Sequence, residues 1–183
     1  MVNQVGHEVA ATLAKSGIKA EAISARALPT VIAKRRTTLI DGTPADLGFV
    51  GEVQSVNPAQ LLELIEQGFV PVVAPVSSDE DLKTGLNVNA DFAAASIAAA
   101  LEASQLIVMT DVAGIYRNWP DKTTLIESIS ASDLESIKAG FAEGMAPKVQ
   151  AALDALSYGA QAVRIIDGTG TLRAIALSEL SRI

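Results

Sequence analysis

Three short segments of this chain place polar side chains where a strand ends or a helix begins. In the first, Asn87, Asn89 and Asp91 alternate along the start of an Ala-rich helix. Amides can hydrogen-bond an anionic or carbonyl ligand, and a carboxylate in a first helical turn is stabilised by the helix dipole by ~0.3–1 kcal/mol. The segment is therefore consistent with a ligand site and equally with an ordinary helix start.

The other two segments carry an aspartate and a lysine. Thr110 and Asp111 follow an apolar strand, and Lys148 follows the turn Gly144-Met-Ala-Pro. Because proline favours the first helical position, Lys148 falls in a first helical turn, where a cation opposes the helix dipole. An ammonium beside the backbone N–H groups of a helix start forms a phosphate-binding corner. Pairing with an exposed carboxylate is the alternative.

Weaker signals surround these segments. Gly114 lets a backbone approach a ligand closely, and Tyr116 and Trp119 either wall a purine pocket by stacking or seal the edge of the core. His7 is the one histidine and has no matched partner, so we expect no metal held by protein side chains. Gly168-Thr-Gly170 lacks the spacing of a Walker loop or a dinucleotide fingerprint.

Composition limits the classes of function. The chain has 183 residues, 49% of them hydrophobic, which is enough for a core in one domain or two small lobes. A net charge of −7 argues against a nucleic-acid surface, and the absence of cysteine excludes disulfides and thiolate metal sites. No apolar run is long enough to cross a bilayer. We therefore expect a cytoplasmic protein that binds small molecules rather than nucleic acid or membrane.

The elements that must position the polar segments alternate along the chain. Apolar periodicity predicts helices over 3–16, 59–67, 90–103, a short one from 130 with a capping box of Ser132 and Glu135, and 147–158. It predicts extended segments over 18–23, 31–33, 36–40, 47–53, 69–76, 105–110 and 162–166, with 77–84 polar and exposed. Such alternation favours a mostly parallel sheet whose ligands lie at the carboxyl ends of the strands.

Six motifs in order carry a family resemblance. They are Asp46-Leu-Gly-Phe-Val-Gly-Glu-Val53, Asn87-Val-Asn-Ala-Asp91, Met109-Thr-Asp-Val-Ala-Gly-Ile-Tyr116, Asn118-Trp-Pro-Asp121, Gly144-Met-Ala-Pro-Lys148 and Ile165-Ile-Asp-Gly168. Together they resemble the acetylglutamate kinases of the amino-acid kinase family. The resemblance implies an α/β fold with a mostly parallel open sheet in an αβα sandwich. Residues 1–84 would form part of an amino-acid-binding lobe and residues 85–183 a nucleotide-binding lobe.

The resemblance also implies a reaction. It is the Mg²⁺-dependent transfer of the ATP γ-phosphoryl group to the side-chain carboxylate of N-acetyl-L-glutamate, a step of arginine biosynthesis. Asn87 and Asn89 would bind the acetylated substrate, while Asp91 would organise catalytic lysines and Lys148 would stabilise the transferring phosphoryl group. The residues bordering the nucleotide would be Thr110, Asp111, Gly114, Tyr116 and Met145.

The sequence also departs from the family pattern. It has no strand ending in Lys-x-Gly-Gly and no His-Gly-Gly-Gly loop, and Ser24-Ala-Arg-Ala-Leu28 stands where the family carries Ser-Gly-x-Asp-Gly. We therefore expect the fold to be incomplete at the amino-terminal lobe. The alternative function is a catalytically inactive homologue that binds a nucleotide or forms an oligomer.

Overall fold

The computed structural model describes residues 2–23, 30–39, 42–79, 84–141 and 145–169 of the chain. Within these ranges the protein is a mixed α/β structure, and its residues group into two compact units, Met1–Glu102 and Ala103–Ile183. None of the described helices is both long enough and apolar enough to cross a membrane.

The first unit contains three helices and six strands among its described residues. They are α1 (Val2–Lys15), β1 (Ala20–Ile23), β2 (Val31–Arg35), β3 (Gly51–Val56), α2 (Ala59–Glu66), β4 (Val70–Val73), β5 (Val76–Ser78), β6 (Gly85–Asn87) and α3 (Ala90–Ala100). Gly17 ends the α1 region with a φ of +82°, a conformation that glycine adopts without a steric penalty. Strand β1 then pairs in parallel with β4, and α1 packs on both strands.

A four-stranded mixed sheet forms the rest of this unit, in the order β3-β2-β5-β6. Its two outer strands are joined, because Val50 and Asn87 form a parallel bridge and the Asn87 N–H donates to the Phe49 carbonyl at 2.7 Å. Leu86 and Val88 are buried with Ala33 and Ala93 in a small apolar core. Because the outer strands are joined, there is little space where they meet, and the residue that faces this core there must have a small side chain or none.

Gly51 occupies that small position. A Cβ added to Gly51 would lie 2.8 Å from the Leu86 Cβ, closer than real Cβ atoms approach, and 3.0 Å from the Ala33 Cβ, which is a very tight contact. Glycine is therefore required by packing at this position.

The second unit holds two strands, two α-helices and two 3₁₀ helices among its described residues. The strands and α-helices are β7 (Leu106–Thr110), α4 (Ala131–Ile137), α5 (Ala146–Ser157) and β8 (Val163–Asp167), and the 3₁₀ helices are Lys122–Thr124 and Lys138–Gly140. Strands β7 and β8 are parallel, with register running from Leu106 opposite Val163 to Thr110 opposite Asp167. Their carboxyl ends therefore share one edge. Beneath them lies an apolar core built from Ile115, Leu134, Val149, Ala152 and Leu153.

The expected α/β class with parallel strand pairing is confirmed, but the strands differ in detail. The single strand expected over 69–76 is two strands, β4 and β5, separated at Ala74 and Pro75. The expectation that 77–84 is polar and exposed is wrong for Ser77 and Ser78, which lie in β5 and are 0% and 2% exposed. Pairing with the neighbouring strands buries these serines. Because serine is polar, the sequence alone suggested that they are exposed.

Two further differences concern helix starts and lobes. Ser130, rather than Ser132, caps α4, since its Oγ accepts the Asp133 N–H at 3.1 Å. The division between the compact units follows Glu102, later than the lobe boundary expected after Thr84, because α3 packs against β3. The assignment of the lobes to amino acid and nucleotide stays a prediction.

Several sequence expectations fall outside the described residues. These are the Ser24–Leu28 stretch, the turn at Asp41, positions 80–83 of the boundary segment, Gly144 of the lysine motif and the chain after Thr169.

Candidate functional site

Asn87, Asn89 and Asp91 lie together at the start of α3 in the first unit. The backbone of Asn87 is fixed by its hydrogen bond to Phe49, while its side chain is exposed. The Asn89 Oδ1 accepts the N–H groups of Asp91 and Phe92 at 2.9 and 3.2 Å, which is the ordinary work of a helix cap. The cap accounts for one side-chain atom of Asn89, and the substrate-binding assignment of both amides stays a prediction.

Asp91 stands in the first turn of α3 with an exposed side chain. The electrostatic field of the helix start favours a carboxylate there. Among the described residues, its carboxylate makes no hydrogen bond or ion pair. Its assigned part in organising catalytic lysines therefore stays a prediction.

In the second unit, Thr110 and Asp111 occupy the shared carboxyl edge of β7 and β8. The Thr110 carbonyl accepts the Gly168 N–H at 2.7 Å, which ties the ends of the two strands together. The Thr110 Oγ donates to the Asp111 Oδ1 at 3.0 Å, and Asp111 is exposed. A carboxylate is therefore held in a defined position at the edge where α/β proteins bind their ligands.

Lys148 reaches the same edge from the first turn of α5. Its Nζ lies 3.6 Å from the Asp111 Oδ1, and its side chain is 25% exposed against 77% for Asp111. The alternative given from the sequence, pairing of Lys148 with an exposed carboxylate, is thus confirmed, while phosphate binding by Lys148 stays a prediction.

The backbone contributes less to an anion site at α5 than the sequence suggested. Pro147 has no N–H, and the Lys148 N–H donates to the Met145 carbonyl at 3.0 Å. Two of the first backbone donors of the helix are therefore missing or engaged. The ammonium group of Lys148 carries most of the positive charge that could meet a phosphate.

The neighbours of Asp111 stabilise its charged form. The hydrogen bond from Thr110, then the backbone N–H of Asp111 itself, then the charge of Lys148 lower the pKa of the Asp111 carboxyl below its usual range. The carboxylate is thus ionised at neutral pH beside the ammonium.

The remaining predicted nucleotide residues are buried. Gly114 packs tightly, since an added Cβ would lie 3.0 Å from the Leu125 Cδ1. Met145 is buried at the start of α5, and Tyr116 packs against Trp119 with ring centroids 5.2 Å apart and planes tilted by 53°. The two rings contact each other and do not form an open slot for a purine. Contact of these residues with a nucleotide stays a prediction.

A polar cluster in the first unit was not predicted from the sequence. The Arg35 Nε donates to the Gly48 carbonyl at 2.7 Å and its Nη2 to Asp46 at 3.0 Å, while its guanidinium lies over the Phe49 ring. This cluster fixes residues 46–49 as a loop before β3, where a strand was expected. The signal was the basic run at 34–36 near an acidic residue, which alone did not indicate a contact.

The described residues contain no group of three or more His, Asp or Glu side chains placed to hold a metal ion. Mg²⁺ in nucleotide sites is bound through one or two carboxylates together with substrate phosphates and water. Asp111, an ionised and exposed carboxylate beside Lys148, fits that requirement. A magnesium ion held mainly by a nucleotide is therefore compatible with this edge.

Comparisons with known proteins agree with the fold and with the family that the motifs indicated. Residues 1–167 match the amino acid kinase family. The acetylglutamate kinase of Saccharopolyspora erythraea is 41% identical over 168 residues, covering 92% of this chain and 55% of that protein. The chain thus spans about half the length of the curated relatives it matches.

Solved structures show the same fold. The crystal structure of smu.665 from Streptococcus mutans UA159 superposes with a TM-score of 0.72 at 28% identity, covering 90% of this chain and 64% of that one. N-acetylglutamate synthase from Neisseria gonorrhoeae, complexed with coenzyme A and N-acetyl-glutamate, gives 0.73 at 26% identity, covering 87% and 35%.

Proposed function

We propose, from the premise that this chain belongs to the amino acid kinase family, that it binds ATP and takes part in phosphorylating the side-chain carboxylate of N-acetyl-L-glutamate. The observation that carries the proposal is the position of Lys148. Its ammonium lies at the start of α5 beside the joined ends of β7 and β8. The identity of about 40% to curated acetylglutamate kinases supports this acceptor.

The proposed reaction forms an acyl phosphate. A carboxylate oxygen of the substrate attacks the γ-phosphorus, the bond to the bridging oxygen breaks, and ADP leaves. Such a transfer requires positioning and neutralisation of charge rather than a covalent residue. Lys148 would neutralise the charge on the phosphoryl oxygens, and Thr110, Asp111 and their neighbours would border the nucleotide. Mg²⁺ supplies further neutralisation when bound with the nucleotide.

The first unit would hold the acceptor. Asn87, whose exposed amide is fixed through its backbone, would bind the acetylated substrate together with Asn89. Asp91 would organise catalytic lysines, as the resemblance implies. These assignments rest on the resemblance and on the exposure of the three side chains.

An ADP-release assay with ATP, Mg²⁺ and N-acetyl-L-glutamate tests the proposal. We expect ADP release that depends on the acceptor, and a loss of about 10²–10³-fold in Lys148→Ala, since one electrostatic stabiliser is removed. Lys122→Ala, an exposed lysine of the same unit, serves as the control and should be unaffected. A panel with other carboxylates and carbamate would detect a related kinase with a different acceptor. No acceptor-dependent ADP from the wild-type chain would contradict catalysis by this chain.

A second candidate is a non-catalytic homologue that binds a nucleotide or forms an oligomer. It is supported by the chain spanning about half the length of the curated relatives it matches. Calorimetry would then detect ATP binding that depends on Lys148, without turnover. Analytical ultracentrifugation would report an oligomer.

A further inference from the structure

The ion pair at the strand ends poses a problem for a phosphate site. Asp111 lies 3.6 Å from the one ammonium that would meet the phosphate. Its Oδ1, the atom nearest Lys148, is also the atom that Thr110 Oγ holds at 3.0 Å. A negative charge in this position repels the incoming phosphate and competes with it for the lysine.

The arrangement is explained if Asp111 acts before the nucleotide arrives. An isolated lysine side chain samples many rotamers, and fixing one costs conformational entropy. A carboxylate that is itself fixed by a neighbouring hydroxyl restricts the ammonium to one place at the sheet edge. A phosphate then meets an ammonium that is already placed.

We propose that Thr110 and Asp111 are positioning residues for Lys148. They hold its ammonium at the edge of β7 until a nucleotide phosphate replaces Asp111 as its partner. The inference rests on the proposed function, because it takes Lys148 to be the phosphate ligand. Exposed ion pairs are weak, so the exchange changes affinities and reactivities only about two- to fivefold.

The first arm of the test needs no nucleotide. The full chain is acetylated with an amine-reactive ester, and the rate at Lys148 is measured by peptide mass spectrometry, with Lys122 as the internal reference. We expect Lys148 to react about two- to fivefold faster in Asp111→Asn and Thr110→Val. Asp111→Glu should keep the slow rate, and Asp133→Asn, which alters another exposed aspartate of the same unit, should not change it.

Salt separates an ion pair from a change in folding. Raising the salt from about 0.1 to 1 M shortens the Debye length from about 10 to 3 Å, so the difference between wild type and Asp111→Asn should shrink. Equal rates at Lys148 in wild type and Asp111→Asn at low salt would overturn the inference. A difference that persists unchanged in 1 M salt would also overturn it.

The second arm uses ATP and adenosine. In the absence of Mg²⁺, Asp111→Asn should bind ATP about two- to fivefold more tightly and adenosine with unchanged affinity, because only ATP carries phosphates. Weaker binding of both ligands would assign Asp111 to direct nucleoside contact and overturn the inference. The proposed function is tested separately by adding ATP to the wild type during acetylation, which should slow the reaction at Lys148. If ATP did not slow it, the phosphate site would be contradicted, while the first arm would still decide the ion pair.

Discussion

Asp111 is an exposed carboxylate whose pKa is lowered chiefly by the hydroxyl of the preceding residue. Because its pKa is lowered in the folded state, its contribution to stability is present above the ordinary aspartate value of about 3.9 and is lost as the pH falls through the lower folded value. We expect Thr110→Val to raise the Asp111 pKa towards the ordinary value, measured by carboxyl NMR titration.

Asp121 provides the internal control for that titration. Its pKa is lowered by the hydroxyl and backbone N–H of Thr123, and Thr110 makes no contribution. The Asp121 titration should therefore be the same in wild type and Thr110→Val. An unchanged Asp111 titration in the variant would refute the dominant part of the Thr110 hydroxyl.

Gly51 is a residue-scale requirement of the four-stranded sheet. We expect Gly51→Ala to lower the free energy of unfolding by about 1–3 kcal/mol, because the added methyl would overlap Leu86 and Ala33. Gly140→Ala is the matched control, since no atom lies within 4 Å of the added Cβ. Urea unfolding of both variants measures the difference. Equal stabilities would show that the sheet relaxes without cost.

At the scale of the element, Asn89 determines how α3 begins. Asn89→Ala should destabilise the protein by about 0.5–2 kcal/mol in urea unfolding, because two N–H groups lose their acceptor. Asn89→Ser keeps a capping oxygen and should retain the stability. Loss of N-acetyl-L-glutamate affinity in the serine variant would identify a binding function beyond the cap. Wild-type stability in the alanine variant would rule out the cap as a stabilising feature.

Helices and strands with regular periodicity were predictable, and those that depend on distant contacts were not. The Ala-rich helix α3 and the apolar strand β7 carry enough local signal to be placed within a few residues. Strand β6 is three residues long and is held by pairing with β5 and by the bridge from Asn87 to Val50. The 46–49 loop likewise depends on Arg35, which lies 11 residues before Asp46 in the sequence. Such partners leave no local pattern in the sequence.

At the scale of the whole molecule, the net negative charge disfavours binding to nucleic acid. The chain has 14 basic and 21 acidic residues. In the basic run at 34–36, Arg35 is engaged by Asp46 and Gly48, and the Arg36 Nε donates to the Thr38 carbonyl at 2.9 Å. We expect the Kd for a fluorescent DNA duplex, measured by anisotropy at physiological salt, to lie above about 10⁻⁴ M. Tighter binding that falls steeply with salt would contradict this.

The family and several residues of the candidate site were predicted from the sequence, and the contact between them was not. The order of six motifs indicated the family, which the match over residues 1–167 confirms. It also singled out Thr110, Asp111 and Lys148, which the second unit brings to one edge. It did not foresee that Asp111 pairs with Lys148, because the 3.6 Å contact joins residues on different elements. Only the fold determines that distance.

The bridge between Val50 and Asn87 also has a consequence for folding kinetics. Strands β2 and β3, and strands β5 and β6, are antiparallel partners that follow one another in the chain, so they can pair early. The bond from Asn87 to Phe49 is a contact of high sequence separation, and its loop-closure entropy must be overcome before it forms. We therefore expect this sheet to close after its antiparallel pairs have formed, and the backbone N–H of Asn87 to reach the Phe49 carbonyl only with that closure.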